Sequence, residues 1–455
     1  MDIKKGKSKH NTKNYYSTYP KIVALSFLLI IVAGTILLML PISVKEGSVS
    51  FIDALFTATS ATCVTGLIQF DTFTKWTLFG QLVILAMIQV GGLGFITLIM
   101  LLTRFVKKRV SVKQKILLRE SIGSIYTGDL RSLGKTVIAG TAFFEILGAI
   151  LLSIYFIPKM NFKNGLYTSV FLSVSAFCNA GFDVMGRIAP GSSLMTVNDN
   201  PLVILTISAL IIIGGIGFIV WDDIKQHKFN LKKYSFHTKL TLITTLILLV
   251  SGTVLYLILE SNNTLSGMSA GDKILNAFFS SVTARTAGFN STPTGDMNGA
   301  SKMLTYILMF IGGSSGSTAG GIKTTTVAIL ILSTFAVTRN RDSVNCLGKR
   351  ITDDLIRKSI SVFTINLILV LSASVIMYAV QPQFDYFDVL FECFSAMGTV
   401  GMSTGITSSL CLLSKIIITM LMFIGRVTSL IFVFTFRFDS NSKTTQKPKG
   451  NLLVG

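Results

Sequence analysis

Long apolar runs alternate with short polar connections along most of the chain. A helix that crosses a bilayer needs roughly 20 apolar residues. Runs of this length occupy 22–41, 76–103, 137–158, 201–221, 240–259, 303–338, 359–381 and 416–436. Three runs contain a single charged residue: Glu145, Lys323 and Arg426. The pattern predicts an all-α integral membrane protein with eight spanning helices.

The composition agrees with a membrane protein, and the charge distribution predicts its orientation. Of 455 residues, 50% are hydrophobic and 14% are charged, whereas a soluble domain carries about 25% charged residues. Outside the apolar runs, 30 Lys and Arg residues lie at the two ends and in alternate connections, and 9 lie in the remaining connections. Positive charge stays on the cytoplasmic side, so we expect both termini in the cytoplasm. The net charge of +20 therefore indicates orientation, and we expect no binding of nucleic acid.

Few residues of the kinds that carry catalysis or bind metals are present. The five cysteines show no metal-ligand or secreted disulfide spacing, and all three histidines fall in predicted cytoplasmic segments. The stretch 316–324 resembles a phosphate-binding loop, but Ile322 separates its glycine from Lys323 and no strand precedes it. We predict that the chain is not an enzyme and binds no cofactor of its own.

A short, almost uncharged segment recurs four times in the connections opposite the cytoplasmic ones. Each copy has Phe ten residues before a glycine and a large apolar residue directly after it. The glycines are Gly66, Gly181, Gly288 and Gly401. Six residues before the glycine stands a serine in the first, second and fourth copies, and Val282 in the third copy. The intervals of 107 to 115 residues indicate a fourfold repeat.

Each repeat is predicted to contain a spanning helix, a re-entrant pore helix and a second spanning helix (M1-P-M2), arranged around a central pore. The predicted segments are a cytoplasmic N-terminal segment, 1–21, a single transmembrane pore domain, 22–436, with repeats at about 22–103, 136–221, 240–338 and 359–436, and a cytoplasmic tail, 437–455. Asp53 and Asp388 are expected to cap two of the short helices. A helix of about ten residues cannot span the bilayer, so the chain must turn back as extended backbone.

The segments around the four glycines are candidates for a cation filter. Rings of backbone carbonyls can replace the hydration shell of a cation, and glycine lets the backbone turn them inward. The candidate ion-binding residues are Thr62, Cys63, Val64, Thr65, Gly66, Phe177, Cys178, Asn179, Ala180, Gly181, Ala284, Arg285, Thr286, Ala287, Gly288, Met397, Gly398, Thr399, Val400 and Gly401. The partly negative C-terminus of each short helix favours a cation, and the loops carry no ring of carboxylates for a divalent ion.

Glycine-rich sequences also recur in the second spanning helices. Gly91–Phe95 and Gly214–Phe218 match closely, and we interpret both as close helix packing through small residues. The block 312–323 is too rich in glycine and serine to hold a regular helix. A helix break at this depth is typical of a transport site. The candidate gate residues are Gly312, Gly313, Ser314, Ser315, Gly316, Ser317, Thr318, Ala319, Gly320, Gly321, Lys323 and Arg426.

These patterns resemble the Trk/Ktr/HKT superfamily of potassium transporters, and most closely its KtrB-type membrane subunits. The resemblance covers about 20–440, and the residues that carry it are Thr62–Leu67, Asn179–Phe182, Arg285–Phe289, Gly398–Gly401, the block 312–323 and Gly425-Arg426. It implies potassium (K⁺) as the transported ion and sodium (Na⁺) as a candidate activator. It also implies a homodimer in the bacterial plasma membrane, with a KtrA-like cytoplasmic ring of nucleotide-binding subunits. The basic connection 104–135 and the tail 437–455 are candidate surfaces for that ring or for anionic lipid headgroups.

The resemblance further assigns roles to single residues. Glycine at all four filter positions favours potassium, and one glycine per loop implies a filter less strict than that of a potassium channel. Arg426 is expected to face the interrupted helix of the third repeat and obstruct the pore, with a structural pairing to Glu145 as the alternative. From their own chemistry rather than from the resemblance, Lys323 is expected to reach the cytoplasmic face, and Arg285 to brace the loops through hydrogen bonds.

The sequence thus predicts potassium uptake through a channel-like pore, gated by the glycine-rich block under control of a cytoplasmic nucleotide-binding subunit. A coupled sodium/potassium symporter with alternating access stays an alternative. The common orientation of the repeats weakens it, because alternating-access folds often use inverted repeats. A membrane enzyme or receptor would need a nucleophile, a metal cluster or a sizeable soluble domain, and the sequence shows none.

Overall fold

The computed structural model describes residues 15–105, 130–228 and 230–427, and these are mostly helical. Most of the connection 104–135 and all of the tail 437–455 lie outside the described residues, so the surfaces predicted there stay predictions. The α-helices of the described part are α1 (Tyr15–Met39), α2 (Phe51–Cys63), α3 (Thr72–Lys75), α4 (Leu78–Phe105), α5 (Leu130–Met160), α6 (Phe162–Phe177), α7 (Pro201–Gly215), α8 (Phe218–His227), α9 (Phe236–Glu260), α10 (Ala270–Thr283), α11 (Gly299–Phe310), α12 (Thr324–Thr338), α13 (Asp353–Val380), α14 (Tyr386–Gly398) and α15 (Leu412–Val427). A small antiparallel hairpin, β1 (Val344–Cys346) and β2 (Lys349–Ile351), connects α12 to α13.

Several helices have the length and apolar character of membrane spans. Among the described residues, three are long and apolar enough to cross a bilayer, namely α5 from Gly134 onward, α9 and α13. Helices α7 and α8 together would make a fourth, although their axes differ by 93°. Shorter apolar stretches lie in α1, α4 and α12. The fold is therefore mostly helical and consistent with an all-α membrane protein, and the number of eight spans stays a prediction.

Four short helices, α2, α6, α10 and α14, lead into the repeated segments. They contain 13, 16, 14 and 13 residues, more than the ten predicted. Their N-terminal N–H groups bond to cap side chains of Ser50, Asn161, Ser269 and Asp385. The prediction of Asp53 and Asp388 as caps is therefore wrong, because the bonds go to Ser50 and Asp385 instead. Both aspartates lie in the first helical turn, where a negative charge is favourable to the helix dipole.

The apolar positions that recur with the loops form the core beneath them. Phe56, Phe171 and Phe391, ten residues before the loop glycines, are fully buried. Phe56 and Phe391 belong to one apolar cluster and Phe171 to another, against which Phe278 is partly buried. The large apolar residues after the glycines are all exposed by no more than 1%: Leu67, Phe182, Phe289 and Met402. These side chains explain why the repeat needs bulky residues at both places, since they anchor the ends of each loop.

Polar contacts near the starts of the short helices join each repeat to the next. The Tyr167 hydroxyl donates to Gln81 Oε1 over 2.8 Å, joining the first repeat to the second. Asn276 Nδ2 donates to the Asn198 carbonyl over 3.0 Å, joining the second to the third. Two ion pairs complete the set, Lys302–Asp388 at 3.0 Å between the third and fourth repeats and Lys415–Asp53 at 2.7 Å between the fourth and first. The four repeats therefore close into a ring.

The glycine-rich second helices of the first two repeats, α4 and the α7–α8 pair, are broken as well as closely packed. A Cβ atom on Gly91 would collide with the Thr62 carbonyl oxygen, and one on Gly214 with that of Phe177, so the predicted packing through small residues is confirmed. The break was not expected. Gly94 inside α4 has φ 67°, and Gly217 between α7 and α8 has φ 100°, a region that favours glycine.

Candidate functional site

The four loops after the short helices share one unusual backbone conformation. Two residues before each glycine, a residue other than glycine has a positive φ: Val64 at 58°, Asn179 at 59°, Thr286 at 74° and Thr399 at 51°. The glycines themselves have φ of 92°, 70°, 79° and 92°. Positive φ at a β-branched residue costs free energy and is rare. Positive φ recurs at the same place in all four loops, at a β-branched residue in three of them, which indicates that the loop shape is imposed by the surrounding structure.

The loops meet one another in a closed ring. A Cβ atom on Gly66 would lie 2.5 Å from the Ala180 oxygen, and one on Gly181 would lie 2.7 Å from the Ala287 oxygen. A Cβ atom on Gly288 or Gly401 would lie still closer to the next loop, at the oxygens of Val400 and Thr65. Each loop thus contacts the next, and the fourth returns to the first. Only glycine allows this approach, because any side chain would meet backbone atoms.

The ring brings carbonyl oxygens together and uses the loop N–H groups elsewhere. The four oxygens that face a neighbouring glycine belong to the residue before each loop glycine: Thr65, Ala180, Ala287 and Val400. The N–H groups of these same residues bond back to the short helices, over 2.8 Å for Thr65, Ala180 and Val400 and 3.0 Å for Ala287. Since the N–H groups of these four residues are taken, the residues present their oxygens as acceptors to the space between the loops. Such a surface can coordinate a cation and offers little to an anion.

The recurring serine makes a hydrogen bond that shows its role in two of the four loops. Ser60 Oγ accepts the N–H of Gly66, and Ser395 Oγ accepts the N–H of Gly401, both over 3.1 Å. In the third loop, where Val282 replaces the serine, Thr283 Oγ1 instead donates to the Phe289 carbonyl over 2.7 Å. Ser175 occupies the serine position of the second loop, but its hydroxyl makes no hydrogen bond. The fourfold pattern in the sequence is therefore only partly fourfold in its contacts.

The glycine-rich block forms an irregular segment between α11 and α12, as predicted from its composition. It packs against the second repeat, where Ser314 N bonds to the Gly215 oxygen over 3.0 Å and Phe218 N bonds to the Gly316 oxygen over 2.8 Å. Thr318 Oγ1 reaches the Phe177 carbonyl in the second loop over 3.3 Å. On its other side, Gly320 and Gly321 contact Thr399 and Gly398 of the fourth loop. The block thus lies directly against two of the four loops.

Arg426 is joined to the same block. Its guanidinium donates to the Thr318 carbonyl, and also to the carbonyls of Gly91 and Gly92 over 2.5 and 3.3 Å. The alternative expectation of a pairing with Glu145 is wrong, because Glu145 instead accepts from Gln89 Nε2 over 3.3 Å and from the Cys178 thiol over 3.9 Å. Arg426 therefore ties the first and fourth repeats to the glycine-rich block of the third.

The side chains of Lys323 and Arg285 do not make the contacts expected from the sequence. Lys323 Nζ donates to the Ala319 and Gly320 carbonyls over 2.8 and 3.3 Å. Its ammonium group therefore folds back on the block, and the expectation that it reaches toward the cytoplasm is wrong. Arg285 in the third loop is 8% exposed, and its Nε atom makes no hydrogen bond. The expected bracing role is not supported by that atom.

The sequence patterns did not identify two groups of contacts near the loops. Gln89, Glu145 and Cys178 form a polar cluster behind the second loop, and only the charge of Glu145 marked it in the sequence. Asp183, two residues after Gly181, accepts the Met185 N–H over 2.9 Å. Burial, and to a smaller extent the nearby Asp71 charge, raise the pKa of the Asp183 carboxyl to about 6.

The helical fold and the ring of four loops define a membrane protein built to transport a cation. The chain belongs to the TrkH family of cation transport proteins, whose model matches residues 3–446. This family consists of ion transporters, so the chain is not an enzyme, as predicted.

Named relatives and a solved structure agree with this assignment. The chain is 38% identical over 442 residues to the potassium/sodium uptake protein NtpJ of Enterococcus hirae, with 96% of this chain and 97% of that protein covered. It is 39% identical over 440 residues to the Ktr system potassium uptake protein B of Bacillus subtilis, with the same shares covered. The fold is similar to the crystal structure of the potassium transporter TrkH from Vibrio parahaemolyticus, with a TM-score of 0.72 and 18% identity over 94% of this chain and 86% of that one. The resemblance to KtrB-type subunits is therefore confirmed, while the structural likeness, at this identity, shows the fold alone.

Proposed function

We propose that the chain takes up potassium through a channel-like pore whose selective part is the ring of four loops. One observation carries the proposal: the four loop glycines close a ring in which each faces the carbonyl oxygen of the next repeat. Oxygens arranged in this way replace the water shell of a monovalent cation. The names of the two relatives, both potassium uptake proteins, favour potassium as that ion.

The ends of the short helices support the same direction of selectivity. Each of α2, α6, α10 and α14 ends at its loop, so the partly negative C-terminal ends converge on the ring. This field stabilises a cation without placing a carboxylate in the path. The filter residues are those predicted from the sequence at 62–66, 177–181, 284–288 and 397–401.

The glycine-rich block 312–323 acts as the gate in this proposal. Its contacts to the second and fourth loops and the bonds from Arg426 hold it beside the filter. A shift of the block would change those contacts without disturbing the ring itself. The resemblance supplies the rest of the proposal: eight spans, cytoplasmic termini, a homodimer in the plasma membrane, and control by a KtrA-like nucleotide-binding ring. Sodium is a candidate activator in this proposal, and the name of NtpJ, a potassium/sodium uptake protein, includes sodium for that relative.

The filter can be tested with Gly66→Ser in purified protein reconstituted into liposomes. A serine side chain would collide with the Ala180 carbonyl and widen the ring at one position. We expect the ratio of potassium to sodium uptake to fall by about tenfold, which corresponds to about 1.4 kcal/mol. The measurement is competition of each ion against rubidium influx.

Gly47→Ser is the matched control for this experiment. Gly47 also has a positive φ, at 71°, but a Cβ atom there meets nothing within 4 Å. It should therefore show the strain of the substitution without its effect on the ring. An unchanged ion ratio in Gly66→Ser would remove the filter assignment. Rubidium influx that requires a fixed ratio of co-transported sodium would instead favour the coupled symporter.

A further inference from the structure

A buried carboxyl group lies beside the fourth loop, outside the residues of the candidate filter and gate. Glu392 belongs to the short helix α14 and is fully buried. The two side chains that contact its carboxyl oxygens come after the loop: Ser403, two residues beyond Gly401, and Thr407 in a turn of 3₁₀-helix. Glu392 therefore joins the helix that enters the loop to the segment that leaves it.

The three side chains form a closed triangle of oxygen contacts. Ser403 Oγ bonds to Glu392 Oε1, Thr407 Oγ1 lies 2.8 Å from Glu392 Oε2, and the two hydroxyl oxygens lie 2.9 Å apart. Ser403 Oγ also accepts the Gly405 N–H over 2.9 Å. Each of the three oxygen–oxygen contacts needs one proton to be a hydrogen bond, and two hydroxyl groups supply only two. In either direction around the triangle, the third proton must come from the carboxyl group.

The surroundings of the carboxyl group favour the same protonated form. Within the part of the chain that the structure describes, no lysine or arginine forms an ion pair with Glu392. Burial raises the pKa of this carboxyl to about 7. Its hydrogen bonds, among them one from the Thr404 N–H, act in the opposite direction, and the charge of Asp388 adds a smaller rise. Asp388 is itself paired with Lys302 of α11 at 3.0 Å.

We infer that Glu392 carries a proton in this arrangement and, in that form, holds the two ends of the fourth loop together as a positioning residue. When the proton is lost, only two of the three contacts can be hydrogen bonds, and the two hydroxyl oxygens face each other without a proton between them. No other repeat has a carboxyl group nine residues before the loop glycine, where Thr57, Leu172 and Phe279 stand. The effect on ion selection rests on the proposed role of this loop in the filter.

Glu260 provides a matched control, because it is a buried carboxylate whose partners include donors that cannot reverse. It is 2% exposed and accepts the N–H groups of Thr264 and Asn298 over 3.2 and 3.0 Å, and the amide of Asn263 over 2.8 Å. These bonds need no proton from the carboxyl group. Glutamine places a donor where a carboxylate has an acceptor, so Glu→Gln should have opposite effects at the two positions.

Thermal unfolding of the purified full-length protein tests the proton on Glu392. Because its pKa is raised from 4.5 to about 7, the wild type loses stability relative to Glu392→Gln as the pH rises through this range. We expect Glu392→Gln to leave the midpoint of unfolding unchanged at pH 4 and to raise it by roughly 2–4 °C at pH 8. Glu260→Gln should lower the midpoint at pH 8 by a similar amount.

Two results would overturn the proton on Glu392. One is a midpoint that falls at pH 8 in both variants, since both carboxyl groups would then accept their bonds in the charged form. The other is failure of Glu392→Gln to fold, because glutamine matches the protonated carboxyl in shape and can donate to one hydroxyl while it accepts from the other. Neither result depends on the filter assignment.

Ion selection gives the second readout. In liposomes, the ratio of potassium to sodium uptake by the wild type should fall by about two- to fivefold between pH 6 and pH 8.5, the range in which the carboxyl group of the folded protein loses its proton. Glu392→Gln should keep the wild-type ratio of pH 6 throughout, and Glu260→Gln should follow the wild-type profile. Equal changes with pH in the wild type and Glu392→Gln would overturn the link to the filter. A failed filter assignment would appear separately, in the ion ratio of Gly66→Ser.

Discussion

Ser60 and Ser175 occupy the same place in two repeats, six residues before the loop glycine, and make different contacts. Ser60 Oγ accepts the Gly66 N–H over 3.1 Å, while the Ser175 hydroxyl has no hydrogen-bond partner. A serine at this position therefore does not by itself brace a loop. The serine braces its loop only where the N–H of the glycine points at the hydroxyl, and that direction depends on how each loop packs.

This difference gives a prediction at the scale of one hydrogen bond. Ser60→Ala removes an acceptor worth about 1 kcal/mol and frees the Gly66 N–H to turn toward the ring. We expect the ratio of potassium to sodium uptake in liposomes to fall by about two- to fivefold. Ser175→Ala, as the matched control, should leave the ratio unchanged. Equal losses in both variants would show that the serines act through packing alone.

Among the elements, the broken helices matter most for the proposed gate. Glycine lets α4 and the α7–α8 pair bend at Gly94 and Gly217. The block contacts the second repeat at the bend at Gly217, where Phe218 N bonds to the Gly316 oxygen. The block is therefore held by the second repeat and by Arg426 together, and it has no regular structure of its own to resist movement.

Arg426→Gln tests this arrangement at the level of the element. The substitution removes a charged donor from three carbonyls, those of Thr318, Gly91 and Gly92. Bonds to a charged group contribute about 1.5–3 kcal/mol each, so the block should be released. We expect rubidium flux without a cytoplasmic partner to rise by about tenfold. Arg357→Gln, at an exposed position in α13, is the control, and flux no higher in Arg426→Gln than in that control would contradict the gate.

At the scale of the whole molecule, the ring needs a contact between its first and last repeats. The Lys415–Asp53 ion pair spans 362 residues of sequence and joins the fourth repeat to the first. Both side chains are mostly buried, with 18% and 16% exposed. A pair in this setting holds the start of α15 against the start of α2, across the place where the chain itself provides no connection.

We predict that this ion pair stabilises the closed ring. A double-substitution cycle with Lys415→Met and Asp53→Asn, followed by thermal unfolding, should give a coupling free energy of about 1–2 kcal/mol. The Lys358–Asp354 pair has the same distance, 2.7 Å, but 53% and 72% exposure, and its coupling should be near zero. Equal coupling in the two pairs would mean that closure of the ring owes nothing to Lys415.

The sequence by itself determined the membrane class, the four loops and the irregular block. These follow from local chemistry, since runs of apolar residues, a recurring glycine and a dense glycine–serine stretch each restrict the backbone wherever they occur. The family was also readable, because the loop motifs are specific in combination. The predicted helix caps Asp53 and Asp388 lie three residues after the observed ones, because the first N–H groups of the helices bond to Ser50 and Asp385.

Only the tertiary structure decided how residues far apart in the chain meet. No local pattern places the Arg426 guanidinium at the Thr318 carbonyl, or separates Ser60 from Ser175, or brings the Glu392 carboxyl to the Thr407 hydroxyl. The positive φ of Val64 and Thr399 is equally invisible in the sequence, because β-branched residues avoid that conformation unless their surroundings impose it. The physical reason is the same in each case: local sequence restricts the backbone, while the closing of four repeats into a ring selects which polar groups find partners.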